Sequence, residues 1–264
     1  MLLDIQALRV AYPVHGRQPF VAVDGVSLSI AAGESFGIVG ESGCGKTSLA
    51  RTVIGIRPPS GGTIRFEGAD ITRMTAAQFK AYRRSVQMVF QDATDSLNPR
   101  MTVRQTLEEV LRIHKMRPAA QIGTRVLELL DRVGLPQDTL DSYPREISGG
   151  QCQRVSLARC LALEPRLIIA DEPVSALDVS VQARVLNLIR ALQKDLNLAI
   201  ILISHDLAVV RNICDRVAVM YNGKFVEEGT AAEVMAHPQH DYTRTLLAAV
   251  PDIARALKSR QTAG

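Results

Sequence analysis

Residues 40–47 read Gly-Glu-Ser-Gly-Cys-Gly-Lys-Thr, a G-x-x-x-x-G-K-[ST] spacing that constrains the local fold more tightly than any other stretch. The apolar, β-rich run Ser35–Val39 precedes it, and Thr47–Ile54 follows with a helical composition that stops at Gly55. The stretch therefore lies between a strand and a helix. Gly40, Gly43 and Gly45 let successive backbone N–H groups wrap an anion with no Cβ in the way, and the helix opening at Lys46 turns its positive dipole end toward the same point. Lys46 is placed to reach the β- and γ-phosphates of a nucleotide, and Thr47 to set its hydroxyl on Mg²⁺. A glycine-rich turn without a ligand needs neither the lysine nor the hydroxyl. The candidate nucleotide-binding set is Gly40, Glu41, Ser42, Gly43, Cys44, Gly45, Lys46, Thr47 and Ser48. Within this cradle the N–H groups and Lys46 are expected to favour a Cys44 thiolate.

Leu167–Ala170 is a buried apolar run that ends abruptly in Asp171 and Glu172. Ligands of a parallel sheet sit at the carboxyl ends of its strands, so both acids are expected beside the glycine loop. Asp171 suits Mg²⁺ binding and Glu172 suits the general base that polarises an attacking water. Alone, the run would be a strand with a solvated acidic turn; the loop upstream changes that reading.

The rest of the chain supplies the frame. Strands are predicted at Leu3–Val10 and Val21–Ile30, around a loop holding Pro13, His15, Gly16 and Pro19, and again at Thr63–Glu67 and Ser85–Phe90, with a polar helix over Ala76–Arg84 between the latter two. Val103–Val133 turns to helical periodicity, broken by Pro118 and closed by Gly134. Helices at Gln151–Leu163, Val179–Asn197 and Leu207–Cys214 then alternate with strands at Leu167–Ala170 and Leu198–Ile203, which implies a parallel sheet with crossovers. Arg216–Tyr221 and Lys224–Glu227, joined at Asn222-Gly223, predict a closing hairpin, and the polar tail from Asp252 is expected to be mobile.

With 264 residues, a core burying about 75% of the unfolded surface is within reach. Four widely spaced cysteines, Cys44, Cys152, Cys160 and Cys214, form no metal pattern and read as reduced cytosolic thiols. The first residues lack a signal-peptide pattern and no apolar run is long enough to span a bilayer, so the chain is expected to be neither secreted nor membrane-spanning. The formal charge of +4 comes from scattered rather than clustered Lys and Arg, and only 4% of residues are aromatic, so no nucleic-acid surface is advertised.

Further motifs stand in order along the chain: Ile147-Ser148-Gly149-Gly150-Gln151, Gln91 after the strand Ser85–Phe90, Ser175-Ala176-Leu177-Asp178, His205, and Tyr12 just past the first strand. With the loop and Asp171-Glu172 they resemble the ATP-binding cassette (ABC) family, the first as the LSGGQ signature with Ile for Leu. The resemblance covers residues 2 to about 250. It implies an α/β fold of the P-loop NTPase type: a RecA-like parallel-sheet core, an antiparallel β subdomain and an α-helical signature subdomain inserted at about 92–163. It also implies ATP and Mg²⁺ as ligands, Gln91 (the Q-loop residue) and His205 (the γ-phosphate sensor) as catalytic residues beside Glu172, Gln91 with Thr47 and Asp171 as metal-facing groups, and Tyr12 as the ring that stacks on adenine. Ser148, Gly149, Gly150 and Gln151 open a helix whose N–H groups face an anion a second time. In the family they cover the nucleotide of a second cassette, which implies a dimer with composite sites.

Val89-Phe90-Gln91-Asp92, Ser96-Leu97-Asn98-Pro99-Arg100-Met101-Thr102-Val103 and the stretch Asp171–Ser180 resemble peptide and nickel importer ATPases. That subgroup implies two membrane-spanning permease subunits, a second ATP-binding subunit of the same or another kind, and an extracytoplasmic solute-binding protein reached indirectly. The place implied is the cytoplasmic face of the inner membrane, and the cargo di- or oligopeptides. Nickel or another metal chelate, or a soluble phosphonate-degrading complex, is the alternative. His237-Pro238-Gln239-His240-Asp241-Tyr242-Thr243 resembles the subgroup's tail motif with Asp241 in place of proline, and no cysteine follows Cys214, so no iron–sulfur centre is expected.

Overall fold

The computed structural model describes residues 1–248; the tail from Asp252 lies outside them. Strands β1 (Leu3–Val14) and β2 (Arg17–Ile30) form one long antiparallel hairpin turning at His15-Gly16, where the sequence predicts a loop reaching from Val10 to Val21. Two prolines suggested that loop, and the sheet shows why they are tolerated. β2 is an outermost strand, and the neighbour on the other side of β1 pairs no further than Arg9, so neither Pro13 nor Pro19 interrupts a two-sided ladder. Tyr12 accordingly sits inside β1, paired with Phe20, rather than past its end.

The chain then enters β3 (Ser35–Val39), passes through the glycine loop, and begins α1 (Lys46–Val53). β4 (Gly61–Phe66) and β5 (Ala69–Asp70) complete an antiparallel sheet in the order β2-β1-β4-β5. A capping box between Thr75 and Gln78 starts α2 (Ala76–Ser85), which leads into β6 (Val86–Val89). Four helices follow: α3 (Ala93–Ser96), α4 (Val103–Ile113), α5 (Ile122–Arg132) and α6 (Gly149–Leu161). The break that the sequence placed at Pro118 spans His114–Gln121: α4 ends at Ile113, Lys115 takes a left-handed φ of +51°, and Pro118 starts the 3-10 turn that leads into α5.

After the helices come β7 (Leu167–Asp171), α7 (Val179–Leu196), β8 (Ala199–Ser204), α8 (Leu207–Ile213) and the hairpin β9 (Arg216–Tyr221) and β10 (Lys224–Thr230). Two short helices that the sequence reading missed, α9 (Ala231–Ala236) and α10 (Asp241–Ala248), end the described chain. The second sheet runs β10-β9-β3-β8-β7-β6, parallel throughout except for β10. This is the expected α/β architecture, with a parallel core, an antiparallel sheet and a helical insertion.

Period-two alternation divides the apolar interior between the two faces of the parallel sheet. Ile168, Ala170, Ile200, Leu202, Val217 and Val219 pack toward the inserted helices, α7 and α8. Leu167, Ile169, Ile201, Ile203, Ala218 and Met220 pack toward α1 and the antiparallel sheet. Both faces being covered explains why these strands read as unbroken apolar runs.

Candidate nucleotide site

Four parallel strands deliver the candidate residues to one edge of the sheet. β3 ends at the glycine loop, β7 at Asp171, β6 just before Gln91 and β8 just before His205. These carboxyl ends are where an open parallel sheet binds ligands. A cavity of about 540 Å³ lies there, lined by Ser42, Gly43, Gly45, Lys46, Thr47 and Ser48 from the loop and α1, by Gln91 and Glu172, and by Tyr12, Phe20 and Ala22 from the hairpin.

Local constraints fix the loop. Gly45 has φ of +114°, and a Cβ there would lie 2.2 Å from the Ala22 carbonyl oxygen, so only glycine lets the loop pass under the hairpin. Lys46 is 5% exposed, and its ammonium donates to the carbonyls of Gly40 at 2.7 Å and Glu41 at 2.8 Å. A buried charge needs such partners, and phosphate oxygens can take over from carbonyls. Gly40, Glu41 and Cys44, read from the sequence as part of the cradle, do not line the cavity, though the carbonyls of the first two hold the Lys46 ammonium. The Cys44 expectation is overturned: burial pushes its thiol up, outweighing the nearby Lys46 ammonium. The cradle's field does not compensate for the burial of a residue only 8% exposed.

The two acids have separate settings. Asp171 is 4% exposed; burial raises its carboxyl above the ordinary range, a hydrogen bond from Thr47 opposes this, and the Glu172 charge adds to it. Glu172 sits at φ +47°, a left-handed conformation that costs a residue with a side chain about 1–3 kcal/mol, and its N–H donates to the Ile203 carbonyl at 2.9 Å. This turn sets one Glu172 carboxylate oxygen 3.1 Å from the Gln91 amide nitrogen and 3.3 Å from His205 Nδ1. Three residues distant in sequence thus meet at a single oxygen. Thr47 and Asp171 offer an all-oxygen set, and among the described residues no group of three or more His, Cys, Asp or Glu is arranged for a metal. Few protein oxygens, completed by phosphate and water, are what Mg²⁺ accepts.

Tyr12 lines the same cavity. Its hydroxyl lies 3.1 Å from Ser48 Oγ, and the Arg57 guanidinium carbon stands 3.8 Å from its ring centroid, covering one face. Phe20 and Arg57 escaped the sequence reading because the first lay in the supposed loop and the second had no motif.

Ser148, Gly149, Gly150 and Gln151 do not line this cavity. Ser148 caps α6 in a reciprocal box with Gln151, its N–H donating to the Gln151 side chain at 2.9 Å. A Cβ on Gly150 would lie 2.3 Å from Val181 Cγ1, so the glycine permits α6 to pack against α7.

A parallel sheet, a glycine loop running into a helix and a Thr–Asp–Glu set at neighbouring strand ends define a P-loop nucleotide-binding protein. The family model for the ABC transporter matches residues 23–175, and the chain belongs to that family. It is 44% identical to the oligopeptide transport ATP-binding protein OppF of Lactococcus lactis over 98% of this chain and 84% of that protein. OppF of Salmonella typhimurium is 47% identical over 95% of this chain and 78% of its own length. A putative peptide import ATP-binding protein of Brucella ovis is 50% identical, over 95% and 78%. Among solved structures, the dimeric cassette MJ0796 in a post-hydrolysis state with ADP and Pi matches 87% of this chain and 99% of its own, with a TM-score of 0.78 and 27% identity. CbiO1 from Clostridium perfringens, part of the cbiONQ transporter complex, reaches 0.80 over 97% and 98%, with 30% identity. The family expected from the ordered motifs is the family found, and its chemistry is ATP hydrolysis.

Proposed function

We propose that this chain is the Mg²⁺-dependent ATPase subunit that energises uptake of di- and oligopeptides. The observation that carries the reading is the meeting of Gln91, Glu172 and His205 at one carboxylate oxygen, beside a cavity floored by Lys46 and Thr47. Loop N–H groups and Lys46 bind the phosphates, and the open face of the Tyr12 ring takes the adenine. Glu172 accepts a proton from the water that attacks the γ-phosphorus as the bond to the β–γ bridging oxygen breaks, leaving ADP and phosphate. Gln91 and His205 orient Glu172 and the γ-phosphate. Thr47 and Asp171, with Gln91 nearby, would hold Mg²⁺, which when bound would supply charge neutralisation to the phosphate oxygens.

Ser148–Gln151 would face the nucleotide of a second ATP-binding subunit, and the segment Gln91–Val103, between the core and the inserted helices, would meet two permease subunits at the cytoplasmic face of the inner membrane. An extracytoplasmic binding protein selects the cargo. Among the described residues no helix is long and apolar enough to cross a membrane. The peptide assignment is supported by the names of the relatives and by the Gln91–Val103 segment. Deleting the encoding gene should abolish uptake of labelled di- or oligopeptides, with restoration by the parental chain and none by Lys46→Ala. Intact peptide uptake with a fall in nickel accumulation would overturn the cargo, and co-purification with soluble enzymes alone would overturn transport itself.

A further inference from the structure

Helix α10, the last among the described residues, reaches the phosphate loop through the Tyr242 side chain. The Tyr242 hydroxyl accepts a hydrogen bond from the Glu41 N–H at 2.9 Å. That N–H belongs to the same planar peptide unit as the Gly40 carbonyl, which accepts from the Lys46 ammonium at 2.7 Å. In a trans peptide the N–H and C=O point in opposite directions, so Tyr242 and Lys46 hold the two sides of one rigid plate. Rotating the plate to serve one partner withdraws it from the other.

Tyr242 is itself fixed from several directions. Its ring packs on Tyr221, at the end of β9, with centroids 4.3 Å apart, and its own N–H donates to His240 Nδ1 at 3.1 Å. The Glu227 carboxylate on β10 receives the N–H groups of Gln239 at 2.8 Å and His240 at 3.0 Å, which sets where α10 begins. Asp241, which replaces the proline of the tail motif, opens α10 as a first-turn acid and pairs with Arg244. Leu246 and Leu247 then pack against the core on the helical side of the sheet. The hydroxyl is delivered by a built support rather than by a loose chain end.

We propose that Tyr242 is a positioning residue for the nucleotide site, holding the Gly40–Glu41 peptide so that the loop and Lys46 stay pre-arranged for phosphate. The inference rests on the phosphate loop being the ATP site. Tyr242→Phe keeps the ring on Tyr221 and removes only the acceptor, leaving the Glu41 N–H unpaired and the plate free to turn. Pre-arrangement lost in this way appears as weaker binding. Equilibrium titration of the full chain with a fluorescent ATP analogue should show the dissociation constant rising about three- to tenfold, equivalent to about 0.6–1.4 kcal/mol. In the assembled complex KM for ATP should rise by a similar factor with kcat within about twofold, and the thermal midpoint of the chain without nucleotide should stay at the parental value. Parental affinity in Tyr242→Phe, or weaker binding that comes with a lowered midpoint, would overturn the positioning role while Lys46→Ala still loses binding. Parental affinity in Lys46→Ala would overturn the site itself, and this inference with it.

Discussion

Asp171 shows how a site residue works against the fold that holds it. Its carboxyl is raised chiefly by burial, with the Glu172 charge adding to this against the Thr47 hydrogen bond, so the ionised form is less favourable in the folded chain than in the unfolded one. The native state binds that proton more readily, and the group's penalty on stability is present above its folded pKa and relieved as pH falls through it. Asp171→Asn should therefore raise the thermal midpoint of the nucleotide-free chain at neutral pH while weakening Mg²⁺-dependent ATP binding by at least about tenfold, the loss of a charge-assisted contact. Calorimetry with and without Mg·ATP checks both, and a lowered midpoint would contradict it. Lys46, Thr47, Asp171 and Glu172 were legible in sequence because each stands at a fixed offset from a strand end. Cys44 misled because nearness to a cation is visible in sequence and desolvation is not. Phe20 and Arg57 meet the site through contacts between distant segments, which leave no local spacing, and Tyr242, though it stands in the tail motif, gives no sign in sequence of its contact with Glu41.

At the scale of elements, the signature glycines carry a packing load of their own. Gly150→Ala brings a methyl to within 2.3 Å of Val181 Cγ1, where α6 meets α7. Overpacking of this kind costs about 1–3 kcal/mol. Urea unfolding should show that loss, and Val181→Ala should return most of it, since neighbours in contact are not additive. Equal destabilisation in both Val181 backgrounds would place the cost elsewhere. Elements with a clear signal were read correctly to within a few residues, α7 by its helical period and β3 and β7 as short unbroken apolar runs. The misses have physical causes. The β1–β2 hairpin carries two prolines that only its lack of two-sided pairing tolerates, and among the described residues α9 fully buries only Ala231 and Val234 and α10 only Thr243, so no apolar stripe marks either helix.

Across the whole molecule the candidate site residues fall into two separated groups. The phosphate loop and its acids gather at the carboxyl ends of β3, β6, β7 and β8, whereas Ser148–Gln151 cap α6 in the helical insertion and do not line that cavity. Such a division fits the proposed pairing of two cassettes, each supplying what the other lacks, with partners in the membrane taking up the motion. Fold and family were both legible from ordered motifs, because a P-loop, an acidic strand end and a helix-opening Ser-Gly-Gly each impose local geometry. Cargo was less legible, because in the proposed importer the residues that touch it would lie on other proteins. The central claim, that Glu172 is the base of an ATPase site formed here, is tested most directly by nucleotide binding and turnover of Glu172→Gln in the assembled complex. Binding of ATP should stay at the parental level while hydrolysis falls by about a hundredfold or more, the weight of a general base; hydrolysis at the parental rate would contradict the account.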